Sequence, residues 1–409
     1  MNKKWTWSQM LWATAAVALL VTGSTLFAAK GGSKGKPGGG EDPPPPPVRY
    51  QFQLIDMPDS QSDDTRVFVR DINTFGQAVG SYFVDLDGDG VTDTFGPFLY
   101  DPQFPTAQAV DLNEIVSGIP EGWSIRQSRA INVWGDICVH LQPKSIIAPE
   151  NVQAAMIDMS VTPPQLHIIP DGDFTDFSIA ADMNDWGDIV VCYEHGDGTR
   201  GNYVYNFGLY GESLKTALPI DLGINANLYW HTYRYWAFIN NEGQVLGHTL
   251  VGGVDTPYRY SPEGGVEVFP ELAPHYAVSI NDAGEFLGRI RVEYRGNKTK
   301  AVTYVMGSEL ELLENEPDVA GNSLVGLNNS SDVAFKHTLL HRDWGYLDYQ
   351  ELLDPTDPNT AFWAENVTYS EIQQFSDRDS TTGFPLLTGV MKIQDTVWSV
   401  FILTPVLAP

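Results

Sequence analysis

The chain is short of cysteine, of basic residues and of long apolar stretches, and each shortage removes a class of protein. Two cysteines, Cys138 and Cys192, in 409 residues leave no disulfide framework and no cysteine-rich metal site. Lys and Arg number 24 against 52 Asp and Glu, a net charge of −28. So acidic a chain repels nucleic acid and anionic lipid, and no nucleic-acid partner is expected. The N-terminal apolar run, residues 10–21, is too short for a comfortable bilayer span. Membrane insertion is therefore expected only if that segment stays on the protein as an uncleaved anchor. Catalytic signatures are missing as well: there is no Gly-x-Ser-x-Gly, no His-Glu-x-x-His, no phosphate-cradling glycine loop and no His-x-His pair. An active site would need residues from several distant segments to converge, so no catalytic residue is assigned.

What is present begins with a leader. Lys3 and Lys4 precede the apolar run, and Ser24, Ala28 and Ala29 offer small residues after it, so residues 1–29 read as an export signal. Residues 30–47 are rich in Gly and Lys and end in the run Pro43 to Pro47, a flexible segment followed by a stiff polyproline spacer. Residues 48–409 form the expected folded domain, in a protein exported to the extracellular space, the periplasm or the surface of a bacterium. Export leaves Cys138 and Cys192 chemically free to pair. A bridge and two buried thiols both remain open.

Self-similarity organises the folded part. A pattern of apolar residue, Asn, two variable residues and Gly recurs around Asn73, Asn132, Asn184, Asn240 and Asn281, and more weakly around Asn328, where Ser331 replaces the glycine. The gaps are 59, 52, 56, 41 and 47 residues, the size of a four-stranded propeller blade. Asn opens a type I turn and Gly takes the left-handed position that closes a hairpin. Two more strand-like runs follow each hairpin, giving strands A to D. A degenerate seventh hairpin near Ser376 and a strand at residues 398–404 end the chain without a fourth strand. Residues 50–57 at the other end look like one. The expected fold is all-β, a seven-bladed β-propeller of four-stranded antiparallel blades, the last closed by the N-terminal strand.

The repeats resemble the HAF-type extracellular repeat family of bacterial exported proteins, whose units look like Ile-Asn-x-x-Gly-Gln-Val-Val-Gly, then an aromatic strand, then Asp-Leu-Gly. Residues 71–80, residues 239–247 and Asp221-Leu222-Gly223 match best. The His-Ala-Phe segment of that family is absent. The resemblance implies a propeller-like fold and export and brings no catalytic residues with it.

Two sites are candidates for binding. Asp85, Asp87, Asp89 and Asp93, with Gly90 and the carbonyl of Val91, follow the spacing of an oxygen-rich Ca²⁺ loop, although Gly96 stands where a closing Glu is usual. A structural Ca²⁺ is expected there. Phe75, Trp134 and Trp186 occupy the position before the turn glycine in three successive repeats, and Tyr229, Trp230 and Trp236 lie in an aromatic run before the fourth. Such rings either stack on a ligand or cover the neighbouring hairpin. The expected protein is a monomeric, non-catalytic binding or structural propeller whose partner is an extracellular protein or polysaccharide. A carbohydrate-binding propeller and a cryptic propeller hydrolase or lyase are the alternatives.

Overall fold

The computed structural model describes residues 48–58, 66–84, 94–104, 108–144, 152–169, 177–194, 200–207, 214–217, 237–273, 277–294, 298–313, 323–394 and 397–408. These form seven four-stranded sheets, and in six of them the strands follow one another in chain order. The A strands are Arg66–Ile72, Trp123–Ile131, Phe177–Met183, Phe238–Ile239, Ala277–Ile280, Leu324–Leu327 and Val367–Arg378. Each packs against the A strand of the next blade, and the seventh packs against the first. The sheets therefore close into a ring with strand A innermost.

The seventh sheet is completed from the other end of the chain. Val48–Ile55 pairs antiparallel with Val397–Leu407, in register from Val48 opposite Leu407 to Ile55 opposite Val400. A helix that the repeat pattern did not announce, Pro358–Asn366, covers this closing strand. Asp357 caps the helix by accepting from Asn359 N, and its other carboxylate oxygen accepts from Phe52 N at 2.9 Å. Trp363 stands edge-on to Phe52 and Phe401 at 5.0 and 5.2 Å. The outer edge of the closing strand is thus shielded from further strand addition.

Seven apolar clusters lie one between each pair of neighbouring blades. Strands alternate between them: Ala78 faces the seventh blade while Val79 faces the second, and Phe286 and Leu287 divide likewise between blades four and six. Both faces of each sheet are buried, so the B strands read as nearly unbroken apolar runs. The same alternation settles the cysteines. Cys138 packs toward blade three and Cys192 toward blade four, a whole sheet apart, and both are buried free thiols.

A glycine in strand B answers to strand C, four residues beyond the turn glycine at Gly80, Gly247 and Gly288 and six beyond it at Gly389. They sit directly opposite Phe98, Tyr258, Tyr304 and Phe401, four fully buried rings. A Cβ on Gly247 would stand 2.6 Å from the Tyr258 hydroxyl oxygen. In two blades strand D departs from expectation. That of blade three is Leu214–Ala217 rather than residues 220–222, which lie outside the described residues. That of blade one stops at Asp111, because the Asp111 carboxylate accepts from Asn113 N and starts the short helix Leu112–Ile115.

Candidate functional site

Each A–B turn is built around its asparagine. In five blades the turn glycine has φ between 69 and 87° and donates to the Asn carbonyl; Ser331 adopts φ 60° in the sixth. Asn Oδ1 accepts two backbone N–H groups of its own turn, as from Glu242 and Gln244 onto Asn240. Nδ2 then points sideways into the next blade. It donates to the carbonyl of the following Asn from Asn73, Asn184, Asn240 and Asn281, at 2.9, 3.0, 2.7 and 3.2 Å. Asn328 donates in the same way to Ser376 O at 3.4 Å. A residue read from sequence as a local turn former is also the stitch between blades.

The next residue forms a second layer. Asp185 Oδ1 accepts from Val133 N, Asn241 Oδ1 from Asp185 N, Asp282 Oδ1 from Asn241 N, Asn329 Oδ1 from Asp282 N, and Asp377 Oδ1 from Asn329 N. Asn241 and Asn329 also donate Nδ2 to the carboxylates on either side. Burial, followed by the charges of Asp282 and Asp185, raises the Asp377 pKa despite these bonds. The recurrence of Asp or Asn after the turn Asn, at Asp185, Asn241, Asp282 and Asn329, is the sequence signal of this layer.

The seventh turn lacks the asparagine and uses an ion pair. Arg378 places Nε and Nη2 on the two carboxylate oxygens of the fully buried Asp332, at 2.8 and 2.7 Å, and Nη1 on Asp343 at 2.7 Å. Burial opposes the Asp332 charge, but the paired bonds from Arg378 win and hold its pKa below the carboxylate range.

The predicted aromatics project from these turns. Phe75, Trp134 and Trp186 are 65%, 60% and 58% exposed. Trp134 Nε1 donates to Asp185 O and Trp186 Nε1 to Asn241 O, each at 3.1 Å. The polar edge of each indole is therefore fixed on the next blade while the ring remains open to solvent. The two indoles lean on the neighbouring hairpin without being buried by it. Glu242, Ala283 and Ser330 occupy the equivalent positions in blades four to six, so the aromatic arc is confined to blades one to three. Tyr229, Trp230, Trp236 and the loop carrying Asp85, Asp87, Asp89, Val91 and Asp93 lie outside the described residues. That loop joins Val84 to Thr94, a strand pair at the far end of the hairpin from the Asn turn.

Deeper in the ring, the inner edge of strand A is capped from the preceding blade. Asp71 Oδ2 accepts from Ile131 N at 2.8 Å, Asp182 Oδ2 from Ile239 N at 3.0 Å, and Ser279 Oγ accepts from Leu327 N at 3.2 Å. Burial pushes Asp71 up to about 6 and Asp182 up to about 7, against the backbone bonds that favour their charge. Burial also drops His140 to about 3, a neutral imidazole whose Nε2 donates to Ala180 O at 3.0 Å. No group of three or more His, Cys, Asp or Glu poised to hold a metal occurs among the described residues.

Closed by its own N-terminal strand and stitched from turn to turn between blade one and blade seven, this is a seven-bladed β-propeller. No family model matches the sequence, and no curated protein sequence is similar to it. Among solved structures, the chain is similar to the β-propeller domain of the Trilobed protease from Pyrococcus furiosus, at 10% identity and TM-score 0.49, covering 82% of this chain and 95% of that one. It is also similar to AofleA from Arthrobotrys oligospora, at 9% identity and TM-score 0.37, covering 88% and 93%. A third similarity is to TolB from Acinetobacter baumannii, at 12% identity and TM-score 0.36, covering 78% and 80%.

Proposed function

We propose that this protein is an exported, non-catalytic binding propeller of the HAF-repeat type that takes a carbohydrate chain across the aromatic arc. The exposure of Phe75, Trp134 and Trp186 at equivalent turns of three consecutive blades carries this reading. A ring whose N–H is already satisfied by protein offers its faces and nothing else, which suits stacking against the C–H face of a sugar. A row of such rings, spaced by the blades, suits an extended polymer. The leader and the polyproline spacer support export on a tether. Structural Ca²⁺ in the loop of residues 85–93 completes the reading, with the four Asp carboxylates and the Val91 carbonyl as ligands.

A glycan array read alongside tryptophan fluorescence tests the binding reading. Wild type is expected to retain one class of polysaccharide, and Trp134→Ala with Trp186→Ala to lose it at unchanged melting temperature. Equal retention by wild type and the double variant, or none by either, would sink it. N-terminal sequencing of the exported protein checks the leader. Calorimetry checks the loop, where Ca²⁺ is expected to bind wild type and not Asp87→Ala.

A further inference from the structure

The inner wall of the ring contains an anomaly that the aromatic face does not explain. Register shifts mark a bulge in the A strands of six blades, and the extra residues are Arg70, Arg129, Ala181, Val278, Val325 and Gln373. A bulge takes its extra residue out of the strict alternation of its neighbours; the apolar ones, Ala181, Val278 and Val325, still pack into the cores between blades, while a long polar side chain is free to reach elsewhere. Gln373 shows the consequence, reaching across to accept from Val69 N on the inner edge of blade one. In a chain of net charge −28, two consecutive blades nonetheless place arginine at this position. A second bulge in the same strand of blade two carries a third, Arg126, only 9% exposed.

Arg70 is the telling residue. Its Nε is buried and has no hydrogen-bond partner, no carboxylate pairs with it among the described residues, and its guanidinium lies 5.6 Å from the Phe68 ring centroid. Burial, and after it the nearby charge of Arg129, pulls Arg70 down to about 9. The acids on this wall are committed elsewhere. Asp71 and Asp182 spend carboxylate oxygens on Ile131, Ile72, Ile239 and Met183 N–H groups. A half-buried guanidinium whose Nε is shut off from water without a partner, beside a second guanidinium, is unfavourable, and the planar five-donor fork of arginine is matched best by an oxyanion.

We infer that the channel binds a small oxyanion, a carboxylate or a phosphate, clamped between Arg70 of blade one and Arg129 of blade two. The site is separate from the aromatic arc: it lies along strand A, three residues before the turn asparagine, and uses charge where the arc uses ring faces.

Calorimetry with inorganic phosphate and with galacturonate, against chloride at matched ionic strength, tests it. Wild type is expected to bind at least one of the two, and Arg70→Met and Arg129→Met to weaken that binding at least tenfold. Binding of phosphate alone identifies a free inorganic anion, and binding of galacturonate alone an acidic sugar; either supports the clamp. Without added anion, Arg70→Met is expected to melt no lower than wild type, because it removes an uncompensated charge and keeps the volume. A fall of several degrees would instead make Arg70 a structural residue and overturn the inference. No binding by wild type, equal binding by Arg70→Met, or loss of binding in the Trp134→Ala, Trp186→Ala variant would overturn it too.

Discussion

At the turn of blade four, the amide of Asn240 serves two blades at once, accepting from Glu242 and Gln244 and donating to Asn281 O. The side chain is buried, so truncation leaves its partners without water to replace it. Asn240→Ala is expected to cost roughly 3 kcal/mol in urea unfolding. Asn240→Asp keeps the two backbone turn bonds, loses the Nδ2 bonds to Asn281 O and Gln244 Oε1 and should cost less than Asn240→Ala. Charge at the residue scale acts in two directions. Removing Arg378 strands the buried Asp332, so Arg378→Met is expected to cost about 3 kcal/mol, and Asp332→Asn in the same chain to recover part of it. The Asp332 pKa is depressed in the folded state; this pair therefore stabilises above the ordinary value of 3.8 and fades as pH falls through that region. Asp182 behaves oppositely. Its pKa rises from 3.8 to about 7 on folding, so between those values the native state holds more protons and stability falls as pH rises. Urea midpoints measured from pH 5 to 7.5 are expected to decline in wild type, with a flatter slope in Asp182→Asn.

Strands show which parts of the pattern carry weight. The closing strand buries Val48, Tyr50, Phe52 and Ile55, worth roughly 8 kcal/mol together at typical burial energies. A loss of that size is comparable to the whole stability of a domain. Deleting residues 48–57 is therefore expected to abolish cooperative melting near the wild-type temperature, and a peptide of those residues added in excess to restore it. An unchanged melting temperature on deletion would contradict the closure. In strand B, Gly247→Ala is expected to lower the melting temperature by several degrees, since the new Cβ meets the Tyr258 ring in a core with no room to yield. The repeat spacing exposed these elements because blade size, turn chemistry and alternation are local properties. The helix Pro358–Asn366 and the shifted strand of blade three were hidden because neither belongs to the repeat. The helix is specified by a cap and by what it covers, and the strand by pairing with Tyr203–Asn206.

Across the whole molecule the ring is symmetric in backbone and asymmetric in chemistry. Blades one to three carry the aromatic turns, and blades one and two the bulged arginines; blades four to seven carry neither. If the aromatic arc binds a polymer, its affinity should respond to Trp134 and Trp186 and be indifferent to Glu242→Ala and Ser330→Ala at the equivalent turns, which a side-by-side binding titration would show. The sequence by itself determined the all-β repeat, the number of blades, the terminal closure and the equivalent turn position of three rings, because each follows from spacing and turn residues along the chain. Only the tertiary structure decided that the turn asparagines join blades, that Arg378 replaces the missing one, that the cysteines stand a sheet apart and that Arg70 lies near Arg129. Those are relations between residues 41 to 59 positions apart in the chain, set by how one blade lies on the next, and no pattern within a single repeat contains them.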